Sequence, residues 1–103
     1  MLDFVGNPPA LSRVMSINTA FLLMAQYDGK AIIPLDDVCR DYFSHLTPTK
    51  FVEKVRAGEL KLPLVKLGPG QKAAKGIALN DLADYIDKQI LAARRDLDQL
   101  TAD

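Results

Sequence analysis

Lys50, Lys54, Lys66, Lys72 and Lys75 recur through one stretch, HLTPTKFVEKVRAGELKLPLVKLGPGQKAAKGIAL, residues 45–79. That stretch holds seven of the chain's thirteen basic residues and only two of its thirteen acidic ones. The chemistry such residues offer is electrostatic. Ammonium and guanidinium groups pair with phosphate oxygens and donate to the edges of guanine. Residues 1–44 carry −2 and residues 80–103 carry −3, so the formal net charge of zero hides a segment of +5. A concentrated basic segment points to a polyanionic partner, the simpler alternative being a solvated positive face.

Covalent chemistry has little to work with. The chain has one cysteine, Cys39, and one histidine, His45. Cys39 falls on an apolar helical face, where a thiol serves as a small core residue. No His/Cys cluster with metal-ligand spacing and no nucleophile–base pair stands out, so an enzyme, a metal and a cofactor are not expected. Gly68-Pro69-Gly70 and the lysines after it do not form a phosphate loop, because no Gly-Lys-Ser/Thr follows at the required spacing. A lone cysteine excludes an internal disulfide framework and fits a reducing compartment. The longest apolar run, Ala20 to Ala25, is too short to cross a bilayer. No basic n-region precedes an apolar core at the N-terminus, so a cytoplasmic protein with no membrane partner is expected, nucleoid-associated when bound to DNA.

The 103 residues suit one small domain. Asn7-Pro8-Pro9 forbids regular structure near the start, so residues 1–16 read as a flexible leader and 17–103 as the domain. Met15 offers a second candidate start for translation, which would make the first fourteen residues dispensable. Asn18 or Thr19 can cap a helix over 19–27, with Phe21, Leu22 and Ala25 at helical spacing. Asp28-Gly29 between two apolar runs is also a hairpin signal, so a strand stays open there. A short strand is expected at Ala31–Ile33. Pro34 can then open a helix whose apolar face is Leu35, Val38, Cys39 and Tyr42, with Asp36 and Asp37 in the first turn.

The clearest helix follows. Thr47 is its N-cap, Pro48 its first residue and Gly58 its stop, giving Pro48 to Ala57. Phe51, Val52 and Val55 share one side; Thr49, Lys50, Glu53 and Lys54 lie on the polar faces. Lys50 and Lys54 repel each other at i,i+4, a cost that an anionic partner reverses and that Glu53 can also relieve. Leu62, Leu64 and Leu67 flank a short strand around Val65 and Lys66. Gly68-Pro69-Gly70 turns the chain, and Gly76–Leu79 returns it, leaving Gln71, Lys72 and Lys75 at or beside a cationic tip. Asn80 then caps a helix over 80–101, with Asp81 and Asp84 in its first turns and Leu82, Tyr85, Ile86, Ile90, Ala93, Leu97 and Leu100 as its stripe. That helix outruns the core of so small a domain. Ile90, Ala93, Leu97 and Leu100 are therefore candidates for contact with a second copy, the alternative being a frayed tail.

The order strand, helix, turn, capped helix, basic hairpin, helix is that of a winged helix-turn-helix domain: mostly α, with a small β-hairpin. Its second helix would enter the major groove and its wing, residues 63–79, would follow the backbone or minor groove. The candidate DNA contacts are Thr47, Thr49, Lys50, Glu53 and Lys54 on the helix and Lys66, Gln71, Lys72 and Lys75 on the wing. Lysine can donate to guanine and Glu53 can accept from cytosine N4.

From about Asn18 to Arg95 the chain also resembles the pyocin activator proteins, the PrtN family. The resemblance rests on "LLMAQY", "IPLDDVCRDYF", "LTP.KF", "AGE..LP" and "QK..KG..L.DLA.Y.D". More loosely, "RAGELKLPLVKLG" followed by "IALNDLADYID" is similar to the end of excisionase-like helix-turn-helix domains. The resemblance implies a transcriptional activator of bacteriocin or prophage-type genes that binds double-stranded DNA upstream of promoters; binding as a dimer or as several copies on one site is the expectation that the long last helix adds. The resemblance also implies recruitment of RNA polymerase. Two alternatives remain: an excisionase-like architectural protein that bends DNA, and a protein–protein adaptor working through the apolar faces of residues 19–27 and 86–100.

Overall fold

The computed structural model describes residues 19–70 and 73–101. The expected leader, the alternative start at Met15, and Gln71 and Lys72 of the hairpin tip lie outside the described residues. Four helices and three strands follow in the order α1 (19–26), β1 (Ile32–Pro34), α2 (Leu35–Tyr42), α3 (Pro48–Arg56), β2 (Val65–Lys66), β3 (Lys75–Ala78) and α4 (Leu79–Thr101).

The Asp28-Gly29 step ends a helix instead of turning a hairpin. Asp28 (φ 56°) and Gly29 (φ 74°) both take the left-handed conformation. The Gly29 N–H thereby reaches back to the Met24 carbonyl at 2.8 Å, capping the last turn of α1. β1 lies one residue later than expected. Pro34 keeps an extended ψ of 140° and precedes the helix, so it closes the strand and α2 starts at Leu35. A proline is tolerated there because, among the described residues, β1 is an edge strand with no ladder partner on its far side.

The three strands form an antiparallel sheet in the order β1-β3-β2. Ile33 faces Ile77 and Pro34 faces Gly76 on one side of β3; Val65 faces Gly76 and Lys66 faces Lys75 on the other. The return strand runs Lys75–Ala78 rather than Gly76–Leu79. The Leu79 N–H donates to the Ala31 carbonyl at 2.9 Å and Leu79 already belongs to α4. Asn80 therefore sits inside the first turn and is not the cap.

Ile33, Val38, Phe51, Ile77 and Leu82 are the fully buried centre, with Leu23 contributed by α1. Phe43 meets Phe51 edge-to-face at 5.1 Å between ring centroids and Tyr85 at 5.8 Å, so one aromatic cluster joins α2, α3 and α4. The apolar face of α2 needs one correction. Leu35, Val38 and Cys39 are buried, but Tyr42 is 39% exposed. The helix ends at Tyr42, and the following turn brings Phe43 into the core in its place. Among the described residues no helix is long and apolar enough to cross a membrane.

Candidate nucleic-acid interface

Helix α3 is held by both of its ends. The Thr47 hydroxyl accepts from the Lys50 N–H at 3.2 Å, and Pro48 occupies the first position, where no N–H is needed. At the other end Gly58 has φ 77°, which lets the Glu59 N–H return to the Lys54 carbonyl at 3.0 Å. The inner face is fixed by Phe51, with Val52 and Val55 packed beside it. What remains outward is Thr49, Lys50, Glu53 and Arg56, all exposed, with Lys54 half-buried on one flank.

Both lysines of that face have carboxylate neighbours. Lys50 Nζ lies 3.5 Å from Glu53 Oε1, and Lys54 Nζ lies 3.2 Å from Glu59 Oε1. The repulsion expected between Lys50 and Lys54 is thus relieved within the chain. These side chains are largely exposed, so each pair is worth a few tenths of a kcal/mol and opens readily to a stronger partner. The ion pair of Lys54 with Glu59, just past Gly58, is a feature that helical spacing alone does not reveal.

The hairpin places Lys66 directly across from Lys75. Like charges opposite one another in a ladder are unfavourable. Lys66 is exposed, while Lys75 is half-buried and donates to the Ala73 carbonyl at 3.4 Å. β3 joins this hairpin to β1, and β1 leads directly into α2. The basic hairpin and the helices α2 and α3 are therefore parts of one framework. Of the nine candidate contacts, Thr47, Thr49, Lys50, Glu53 and Lys54 gather on α3 and its cap. Lys66 and Lys75 pair across the hairpin, and Gln71 and Lys72 lie outside the described residues.

The acidic side chains gather elsewhere. On α2, Arg40 pairs with Asp37 at 2.9 Å and Asp41 at 3.0 Å. Asp41 also accepts from the Tyr27 hydroxyl at 2.6 Å, tying α2 to the turn after α1. The hydrogen bonds from Arg40 and Tyr27 hold the Asp41 carboxyl below the usual carboxylate range. Burial, with Asp36 nearby, pushes the Cys39 thiol up, which leaves it a core residue and a poor nucleophile. Among the described residues no three His, Cys, Asp or Glu side chains group as metal ligands.

The stripe on α4 divides in two. Leu82 is buried and Tyr85 and Ile86 are half-buried against the core, whereas Ile90, Leu97 and Leu100 are 40%, 61% and 78% exposed.

A family model described as "Pyocin activator protein PrtN" matches residues 19–93. The match runs from the first described turn of α1 to the middle of α4 and takes in the whole sheet and both helices of the α2–α3 pair. No curated protein and no solved structure matches the chain. The chain belongs to the PrtN family of pyocin activator proteins, so its activity is transcriptional activation of pyocin genes, with DNA as the implied partner, and not catalysis.

Proposed function

We propose that the chain is a winged helix-turn-helix activator that binds specific duplex sites upstream of pyocin or prophage-type genes. In this reading α3 enters the major groove. Thr49, Lys50, Glu53 and Lys54 reach base edges and nearby phosphates, and Thr47 adds a phosphate contact. The wing, residues 63–79, holds phosphates through Lys66, Gln71, Lys72 and Lys75. The observation that carries the reading is the outward side of α3, wholly polar on a capped, core-anchored helix, followed in the chain by a hairpin with lysines opposed across its strands. A phosphate between Lys66 and Lys75 turns their mutual repulsion into attraction. The basic segment of residues 45–79 is then a DNA footprint, offset in the total by acidic groups on α2 and α4.

The working form is a homo-oligomer joined through Ile90, Ala93, Leu97 and Leu100, and it acts in the cytoplasm, where promoters and RNA polymerase are. The test is fluorescence anisotropy with duplex DNA over a salt series, comparing wild type with Lys50→Ala/Lys54→Ala. Steep salt dependence, weakened in the variant, is expected. Absence of binding at low salt refutes the reading and turns attention to a protein partner.

A further inference from the structure

We propose that two copies of this chain pair through α4 in the antiparallel sense, Leu97 and Leu100 of each filling an apolar groove on the other. The proposal rests on the oligomeric reading above and adds to it a geometry. Helix α4 has 23 residues, and every residue from 88 to 101 is exposed. Along it Ile86, Ile90, Ala93, Leu97 and Leu100 recur at alternating intervals of four and three residues. That is the a/d repeat of a coiled-coil seam, the pattern that packs one helix against another over several turns.

The first half of this seam runs beside a groove of about 410 Å³. Ile86, Ile90 and Ala93 lie along its α4 side, and Phe43, His45 and Tyr85 stand among its other lining residues. The second half carries Leu97 and Leu100 out past the groove with nothing from the described chain over them. Groove and protruding leucines thus lie on one stripe of one helix, the arrangement a two-fold interface requires. The seam is symmetric about the point between Leu91 and Ala92. A two-fold axis there sets Leu97 against Ile86 of the second copy and Ile90 against Ala93, with Leu100 toward the Leu82 end of the groove.

Both halves of α4 carry mixed charge, Asp81, Asp84, Asp87 and Lys88 in the first and Arg94, Arg95, Asp96 and Asp98 in the second, so only the pairs that flank the seam bear on direction. Neither arginine makes an ion pair among the described residues. Antiparallel order brings Arg94 beside Asp87 of the second copy, whose carboxylate also accepts from the Thr19 hydroxyl of its own chain at 2.6 Å, flanking the seam on both sides of the axis. Opposed helix dipoles add to the preference.

The experiment uses the full chain. Sedimentation gives the mass, and double electron–electron resonance on spin-labelled Thr101→Cys gives the direction. Cys39 is buried and wild type controls for its labelling. A dimer is expected, with the two labelled backbones roughly 30 Å apart; parallel helices would bring them to about 10 Å. Leu97→Asp changes an exposed side chain, so each copy still folds. The symmetry counts the substitution twice, and the dissociation constant should rise about 100-fold or more. A monomeric wild type overturns the proposal and the oligomeric reading together, and a short distance overturns the antiparallel geometry alone. A Leu97→Asp dimer as tight as wild type removes the seam. Wild type that dimerises without binding DNA would sink the DNA reading and leave this one standing.

Discussion

Gly76 lies against Ile33 so closely that a Cβ on it would stand 2.6 Å from the Ile33 carbonyl oxygen and 2.7 Å from Cγ2 of Ile32. Gly76 is buried in the central strand, paired with Pro34 on one side and Val65 on the other. No side chain fits there without moving β1 away from β3. Gly76→Ala should cost about 2–4 kcal/mol in a denaturant titration. Gly68→Ala, whose added carbon would meet only the Ala73 Cβ at 3.7 Å, is the control and should cost much less. Equal losses in the two variants would mean that the close approach to Ile33 is not what the glycine serves.

Thr47 has two candidate roles, and one substitution separates them. Aspartate keeps the acceptor for the Lys50 N–H and adds a negative charge where the helix dipole favours one. Thr47→Asp should leave the melting temperature unchanged or slightly raised and should weaken DNA binding, because a carboxylate now faces phosphate. Thr47→Ala should lose about 1 kcal/mol of stability. Unaltered DNA affinity in Thr47→Asp would confine Thr47 to the cap.

Glu53 and Lys66 should differ in kind. Glu53→Ala frees Lys50 from its partner at 3.5 Å, so total affinity for random duplex should rise slightly. Discrimination at one base pair should fall by about 1–3 kcal/mol. Lys66→Ala should weaken specific and random duplex alike and shallow the salt slope by about one unit. Binding competitions against single-base operator variants measure the first effect, and a salt series measures the second. A Glu53→Ala protein that discriminates as well as wild type would reduce Glu53 to a counterion for Lys50.

Stability should fall at both ends of the pH scale through one hydrogen bond. Asp41 has its pKa lowered by Arg40 and Tyr27, so its contribution is present above the unfolded carboxylate value and is lost as pH falls through the lower folded one. Tyr27 has its pKa raised, first by burial and then by its bond to Asp41. Its contribution is present below the unfolded phenol value, about 10, and is lost as pH climbs toward the folded one. Melting temperature against pH should show a neutral plateau. Asp41→Asn should flatten the acid limb, and Tyr27→Phe the alkaline one. Limbs that keep their wild-type slopes would mean that other groups govern them.

The local elements were legible because their signals lie within a turn or two of the chain. Thr47, Pro48 and Gly58 bound α3 by capping chemistry that involves only near neighbours. The hairpin about Gly68-Pro69-Gly70 and the long C-terminal helix follow from periodicity and turn residues in the same way, whereas Asp28-Gly29 left helix and strand both open for residues 19–27 and the fold settled it as a helix. The segregation of charge and the family resemblance were also in the sequence. So was the excess length of α4, since the pattern simply outlasts what a small core can cover.

Tertiary structure decided what depends on groups far apart in the chain. That β1 pairs with β3, making a sheet from a hairpin and a distant strand, is a choice among long-range partners that no local spacing encodes. The same pairing drew Leu79 into hydrogen bonding with Ala31 and so moved the start of α4 ahead of Asn80. It also gave Gly76 a steric reason to be glycine. Phe43 replaced Tyr42 in the core because a helix wheel assumes that the helix continues, and α2 stops at Tyr42 so that its chain can meet Phe51 and Tyr85. Periodicity names the residues that must be buried; only packing names what they are buried against.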